Sequence, residues 1–186
     1  FGTDSFIPLA LRETRGLSLL MAALVLAPAS LSWALASIYV ARQANDANRE
    51  RRQRNYRRFV AAGFLLLAIS TAAMIPTLFA GVPIAFAFVA WGVAGFGIGI
   101  AYVSLNSLAM ESQTEVGSES TEAQTAVALN IGDSLGFALG TTLAGALLAH
   151  GAASGLSESL QFFVSWAVFA AIALLCALVC SRLRAA

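Results

Sequence analysis

One carboxylate stands inside a long apolar segment of the chain. Asp133 is the only charged residue between positions 123 and 150, and it follows the start of that segment by ten residues, or about 15 Å of helix. That depth is close to the middle of a bilayer, where an ionised side chain costs about 2.5–3.5 kcal/mol on insertion scales. Such residues mark proton, ion or substrate paths, so we expect Asp133 to gain and lose a proton. A structural hydrogen bond to Asn106 or to a backbone carbonyl is the alternative.

Further polar and aromatic side chains share the helix face of Asp133. At 100° per residue, four of them fall with it in an arc of about 100°: Asn130, Ser134, Phe137 and Thr141. Tyr102 and Asn106, in the preceding apolar segment, are expected to line the same space. These residues are our candidate substrate-cavity liners.

A second acid, Asp4, lies near the start of the sequence. Residues 1–11 are apolar apart from Asp4 and too short to span a membrane, which is typical of the end of a longer helix. Asp4 precedes Leu11 by seven residues, or about 10 Å. It is a second candidate for proton coupling in the same cavity; a solvated residue near a truncated end is the alternative.

Glycines recur at helical spacing in two of the apolar segments. Gly132, Gly136 and Gly140 repeat every four residues beside the polar stripe, and Gly95 and Gly99 do so in the segment 82–110. This small-xxx-small pattern lets membrane helices approach closely. We therefore predict these glycines as helix-packing positions. A nucleotide-binding loop is not expected, because that motif needs a strand before the glycines.

The chain offers little for enzymatic chemistry. No Ser-His-Asp set, pair of acid/base carboxylates or metal-ligand cluster can be assembled around the single histidine, His150, and the two cysteines. We expect no catalytic activity, no cofactor and no metal ion. Trp33, Trp91 and Trp166 are interpreted as packing residues.

Composition and run lengths identify the elements that hold these residues. Of the 186 residues, 59% are hydrophobic and 11% are charged, whereas soluble domains carry about 25% charged residues. Five runs are long enough to cross a bilayer as helices: 17–40, 59–79, 82–110, 123–150 and 160–180. We predict one all-α transmembrane domain over 1–186, with helices at about 1–11 (partial), 17–41, 59–79, 82–110, 121–150 and 158–181. Pro28 and Pro76 are expected to kink their helices.

The arginines indicate the orientation of the bundle. All 11 basic residues are Arg; seven lie in the predicted loop 42–58 and two near the C-terminus, against Arg12 and Arg15 on the other side. The positive-inside rule places the loops 42–58 and 111–122 and the C-terminus in the cytoplasm, at the plasma membrane. A gating or lipid-contact role is expected for five residues of this region, and nucleic-acid binding is not: Arg42, Asp46, Arg49, Arg51 and Arg52.

Three stretches resemble the C-terminal half of a major facilitator superfamily transporter of the actinobacterial drug:proton antiporter type. They are FIPLALRETRGLSLLMAALVLAP (6–28), GFGIGIAYVSLNSLAM (95–110) and ALNIGDSLGFALGTTLAGALL (128–148). The family's cytoplasmic loop motif, roughly G-x-L-a-D-r-x-G-r-r, is altered at 41–45: it lacks the Gly and has Asn45 for the Asp. Asp46 lies one residue further along.

The resemblance implies half of a two-halved, alternating-access transporter. Protonation of Asp133, helped by Asp4, would then couple proton entry to export of an amphipathic or drug-like compound, as in multidrug resistance. The implied partners are the lipid bilayer, protons, the substrate, and an N-terminal half or partner subunit. A non-transporting membrane scaffold and an importer of a small metabolite are the alternatives.

Overall fold

The chain is built from helices throughout the part that the computed structural model describes, which is residues 2–43, 48–113 and 119–182. These residues contain no β-strand, so the predicted all-α class is confirmed. Short 3-10 turns at Asp4–Phe6 and Ile75–Leu78 accompany seven α-helices. These are α1 (Ile7–Arg15), α2 (Leu19–Leu24), α3 (Ala27–Gln43), α4 (Arg49–Met74), α5 (Ile84–Gln113), α6 (Glu119–Ala153) and α7 (Glu158–Arg182).

Within the described residues, five helical segments are long and apolar enough to cross a membrane. They are α2 with α3, α4 with its 3-10 turn, α5, α6 and α7, and their apolar spans run from 25 to 31 residues. About 20 residues suffice to cross the hydrocarbon core. The prediction of five full spans is confirmed, and the chain has the character of a membrane protein.

Pro28 and Pro76 each interrupt their helices, as expected from the sequence. The helix predicted over 17–41 is broken into α2 and α3, with Pro28 in the first turn of α3. The helix α4 tightens after Met74 into a 3-10 turn that contains Pro76. Proline lacks an N–H and its ring clashes with the carbonyl four residues earlier, which ends the α-helical hydrogen-bond ladder.

The arginine-rich segment differs from the prediction. It was expected as a loop over 42–58, but from Arg49 it forms the first turns of α4. The Asn48 side chain caps this helix by accepting a hydrogen bond from the N–H of Arg51 at 3.0 Å. Likewise α5 continues to Gln113, into the loop predicted at 111–120. Hydropathy marks where a helix leaves the apolar layer, whereas caps and helix propensity decide where it ends.

Close backbone approach holds α3, α4 and α5 together. A Cβ atom on Gly99 of α5 would lie 2.6 Å from the Cβ of Ala36 on α3, and one on Gly97 would lie 2.9 Å from the Cβ of Leu66 on α4. A Cβ atom on Gly95 would likewise come too close to the backbone of Ala29. Only glycine fits at such points, and the resulting van der Waals contact is what binds helices in lipid.

The helix α6 is the least covered element. The buried core lies among the other helices, with Leu11, Met74 and Trp166 at one end and Val40 and Tyr56 at the other. On α6, by contrast, only a few residues are buried within the chain. Four large apolar side chains on it are more than half exposed: Val127, Ile131, Leu135 and Leu139. The helix that carries Asp133 therefore presents a broad uncovered face.

Candidate functional site

The carboxylate of Asp133 accepts a hydrogen bond from the neighbouring helix. The Tyr102 hydroxyl on α5 donates to Asp133 Oδ2 at 2.6 Å. This distance is within the normal range for a hydrogen bond from a hydroxyl to an oxygen. Asn106, the partner considered from the sequence, instead donates its side-chain N–H to the backbone carbonyl of Tyr102 at 3.0 Å.

A third helix supports this pair. The ring of Trp33 on α3 meets the ring of Tyr102 edge to face, with 5.8 Å between the centroids and 67° between the planes. Such edge-to-face pairs stabilise by about 0.5–1.5 kcal/mol beyond area burial. Trp33 therefore restricts the tyrosine that holds Asp133, and its interpretation as a packing residue alone is incomplete.

These side chains form an open cleft of about 380 Å³, which we call the Asp133 cleft. It is lined by Trp33, Tyr102, Asp133, Ser134 and Phe137. Three helices contribute to it, and its surface combines aromatic rings with one carboxylate and two hydroxyls. Small-molecule sites have this composition, with apolar walls and a few fixed polar groups.

The polar side chains that share this face of α6 with Asp133 form hydrogen bonds within their own helix. Ser134 Oγ donates to the Asn130 carbonyl at 2.9 Å, Thr141 Oγ1 donates to the Phe137 carbonyl at 2.8 Å, and the Asn130 side chain donates to the Ala126 carbonyl at 3.3 Å. Such bonds let polar side chains face an apolar layer at little cost. Asn130 and Ser134 line a neighbouring shallow cleft of about 390 Å³. Thr141 lies one turn further along α6 than Phe137.

Asp4 has a partner of its own. The Trp91 indole N–H on α5 donates to Asp4 Oδ1 at 3.0 Å. Trp91 and Tyr102 are eleven residues apart, so they share one face of α5 about 16 Å from each other along the axis. The two acids therefore engage the same face of α5 at two levels, and Asp4 is not among the residues lining the Asp133 cleft.

The glycines predicted to pack α6 occupy two different environments. A Cβ atom on Gly140 would lie 3.3 Å from the backbone nitrogen of Gly2. A Cβ atom on Gly132 or Gly136 would meet nothing within 4 Å in the described part of the chain. These two glycines belong to the uncovered face of α6.

An ion pair joins two helices at the arginine-rich end. Arg52 Nε on α4 lies 2.6 Å from Glu111 Oε1 on α5, and each side chain is only about one-fifth exposed (20% and 19%). Arg49 donates to the Glu111 carbonyl at 3.1 Å. The structure thus brings together two of the predicted gate residues around an acid that sequence reasoning missed. Arg42 is exposed at the end of α3, Arg51 is exposed in the first turn of α4, and Asp46 lies outside the described residues.

A second arginine makes contacts between helices at the opposite end of the bundle. Arg15, at the end of α1, donates to the carbonyls of Thr77 and Phe79 at 2.9 and 2.8 Å. The helix ends with the 3-10 turn at Leu78, so these carbonyls receive no helical N–H donor, and both accept from the same guanidinium nitrogen, Nη1. Each end of the bundle therefore has an arginine that fixes one helix against another.

The chain matches no protein-family model, and it matches no curated protein and no solved structure.

Proposed function

We propose that the chain is the C-terminal half of a secondary active transporter of the major facilitator type, and that it couples proton entry to the export of small amphipathic compounds. The observation that carries the proposal is the Tyr102–Asp133 hydrogen bond at the wall of an open cleft, about midway along a membrane-length helix. The resemblance of the segments 6–28, 95–110 and 128–148 supports it.

In this mechanism the protonation state of Asp133 sets how tightly α6 is held to α5. A hydrogen bond from a hydroxyl to an ionised carboxylate is about twice as strong as one to a neutral acid. The ionised form therefore holds α6 against Tyr102, and protonation weakens that link. A proton shifts the equilibrium between two conformations only by its differential affinity for them. The Tyr102 bond supplies such a difference if it is kept in one conformation and broken in the other.

The cleft favours a cationic amphiphile among the possible substrates. Trp33 and Phe137 offer aromatic surface, and the faces of such rings attract organic cations. The carboxylate of Asp133 would balance the positive charge. A proton and a cationic substrate then compete for one carboxylate, which by itself produces exchange of one for the other.

The second wall of the pathway belongs to the other half of the transporter. The uncovered face of α6, including Gly132 and Gly136, is where that half would pack closely enough to form a seam. The arginine-rich end faces the cytoplasm by the positive-inside rule, and the Arg52–Glu111 pair would act there as part of a cytoplasmic gate.

Transport in membrane vesicles tests this function. Inverted vesicles that contain the full-length protein are given a pH gradient, and fluorescent amphipathic cations are added outside. We expect the dyes to accumulate and to leave again when a protonophore collapses the gradient. Vesicles from cells without the protein provide the control, and equal accumulation in both kinds of vesicle would contradict the proposal.

The second candidate is a membrane scaffold without transport activity. The same Tyr102–Asp133 bond favours it, since an interhelical hydrogen bond can be purely structural. The two functions predict different results for Asp133→Asn. A scaffold requires only that the bundle assemble, and asparagine retains an oxygen that accepts from Tyr102. An assembly role that survives this change, with no dye movement in the wild type, would favour the scaffold. An importer of a small metabolite would instead accumulate its substrate in the opposite direction.

A further inference from the structure

The arginines of α4 fall into two groups that face different surroundings. Arg49 and Arg52 contact Glu111 of α5. Arg54, Arg57 and Arg58 lie on the other side of the helix, where with Glu50 and Gln53 they line a groove of about 420 Å³. At 100° per residue, these two groups of arginines are centred more than about 120° apart.

A second, apolar cleft shares one lining residue with this groove. It has a volume of about 440 Å³ and is lined by residues of three helices: Arg57 and Val60 of α4, Leu105 and Leu108 of α5, and Cys180 of α7. Arg57 lines both cavities. The groove of arginines and the apolar cleft therefore adjoin at this one side chain.

The position of Arg57 along α4 coincides with the edge of the apolar layer. Arg57 and Arg58 are the last charged residues before the uncharged run that starts at Phe59. Val60 lies one turn deeper than Arg57. A guanidinium at this depth reaches the phosphate level of a bilayer while the residues beside it contact acyl chains.

We propose that this composite cavity binds one anionic phospholipid. Arg57, with Arg54 and Arg58, binds the headgroup phosphate through the planar donor fork of the guanidinium group. One acyl chain lies in the cleft between Val60, Leu105 and Leu108. The occupant is a lipid rather than a free phosphate because Arg57 lines both the charged groove and an apolar cleft that a small anion cannot fill. The site is independent of transport and would exist in a scaffold as well.

Native mass spectrometry of the full-length protein in detergent tests the site. Phosphatidylglycerol is compared with phosphatidylcholine of the same acyl chains, and the Kd of each is measured. We expect phosphatidylglycerol to bind about tenfold more tightly, and Arg57→Gln to raise its Kd about tenfold. The matched control is Arg12→Gln, which removes an exposed charge at the opposite end of the bundle and should leave that Kd within about twofold.

Two further arms separate headgroup from acyl-chain recognition. Leu108→Trp narrows the apolar cleft and is expected to weaken lipid binding, whereas glycerol phosphate should fail to displace the lipid even in large excess. Arg57→Lys keeps the charge without the planar fork, so it should raise the Kd by a smaller factor than Arg57→Gln. It provides the test if Arg57→Gln does not fold. Equal affinity for the two lipids, or an unchanged Kd in both Arg57 variants, overturns the site. Displacement by equimolar glycerol phosphate overturns the assignment to a lipid.

Discussion

The Tyr102 hydroxyl on α5 donates to the Asp133 carboxylate on α6 across 2.6 Å. The same tyrosine ring stands edge to face with Trp33 on α3. One side chain therefore connects three helices, and it holds the only acid among the residues of the cleft. Any change in the charge of Asp133 alters the strength of that connection.

Removal of the Tyr102 hydroxyl should separate the hydrogen bond from the ring packing. Tyr102→Phe keeps the contact with Trp33 and removes the donor to Asp133. Interhelical hydrogen bonds in membrane proteins contribute about 0.6 kcal/mol on average and about 1.7 kcal/mol at most. We therefore expect the free energy of unfolding to decrease by an amount within that range. Denaturant unfolding of the full-length protein in mixed micelles measures it.

The control for that change is Tyr39→Phe. Tyr39 is exposed on α3, and its ring packs against Phe59 with 5.6 Å between centroids, a contact that phenylalanine retains. We expect no measurable loss of stability. Equal losses in the two variants would mean that the Tyr102–Asp133 bond contributes nothing specific.

A methyl group added at Gly99 should destabilise the bundle. In Gly99→Ala the new Cβ would lie 2.6 Å from the Cβ of Ala36, which forces α3 and α5 apart. Overpacking of this kind costs about 1–3 kcal/mol. Gly145→Ala is the matched control, because a Cβ there would lie 3.8 Å from the ring of Phe6, an ordinary van der Waals contact, and alanine is the better helix former. Thermal unfolding should rank the variants with Gly99→Ala lowest; the reverse order would contradict the close α3–α5 contact.

The Arg52–Glu111 pair should show measurable coupling between α4 and α5. A double-mutant cycle with Arg52→Gln and Glu111→Gln isolates the pairwise energy. Because both side chains are mostly buried, we expect about 1 kcal/mol, at the upper end of the range for exposed pairs.

The Arg12–Glu13 pair on α1 provides the comparison. Its atoms are 3.9 Å apart and its side chains are 59% and 43% exposed, so the same cycle should give a coupling near zero. A larger coupling for Arg12–Glu13 than for Arg52–Glu111 would contradict the gate contact.

The spans were predictable because a bilayer imposes a length on every apolar run. The ends of the helices were less so: the segment RERRQRNYRR is charged, yet helix formers and the Asn48 cap carry α4 through it. The place of Asp133 near the middle of α6 followed from its position in the apolar run. Its partner did not, since Tyr102 and Asn106 lie one turn apart on α5, and only the packing angle of α5 against α6 decides which of them reaches the carboxylate.

Other parts of the site could not be predicted, because they depend on contacts between distant residues that spacing along the sequence does not reveal. Trp33 reaches the cleft because Gly99 lets α3 approach α5 closely, with Trp33 itself next to the glycine. Glu111 was assigned to a loop, but the continuation of α5 past the apolar run brings it to Arg52. The register between helices, rather than the pattern along any one helix, determines both contacts.

The most direct test of proton coupling at Asp133 compares two kinds of transport by one variant. Proteoliposomes with the full-length Asp133→Asn protein are assayed for uptake of a transported dye driven by a pH gradient and for dye exchange at equal pH on both sides. Asparagine retains the size of the side chain and an acceptor for Tyr102 but not the charge that balances a cationic dye, so we predict that exchange persists with a weaker affinity for the dye while the pH gradient no longer drives accumulation. Accumulation at the wild-type level under the gradient would contradict the assignment of the proton to Asp133.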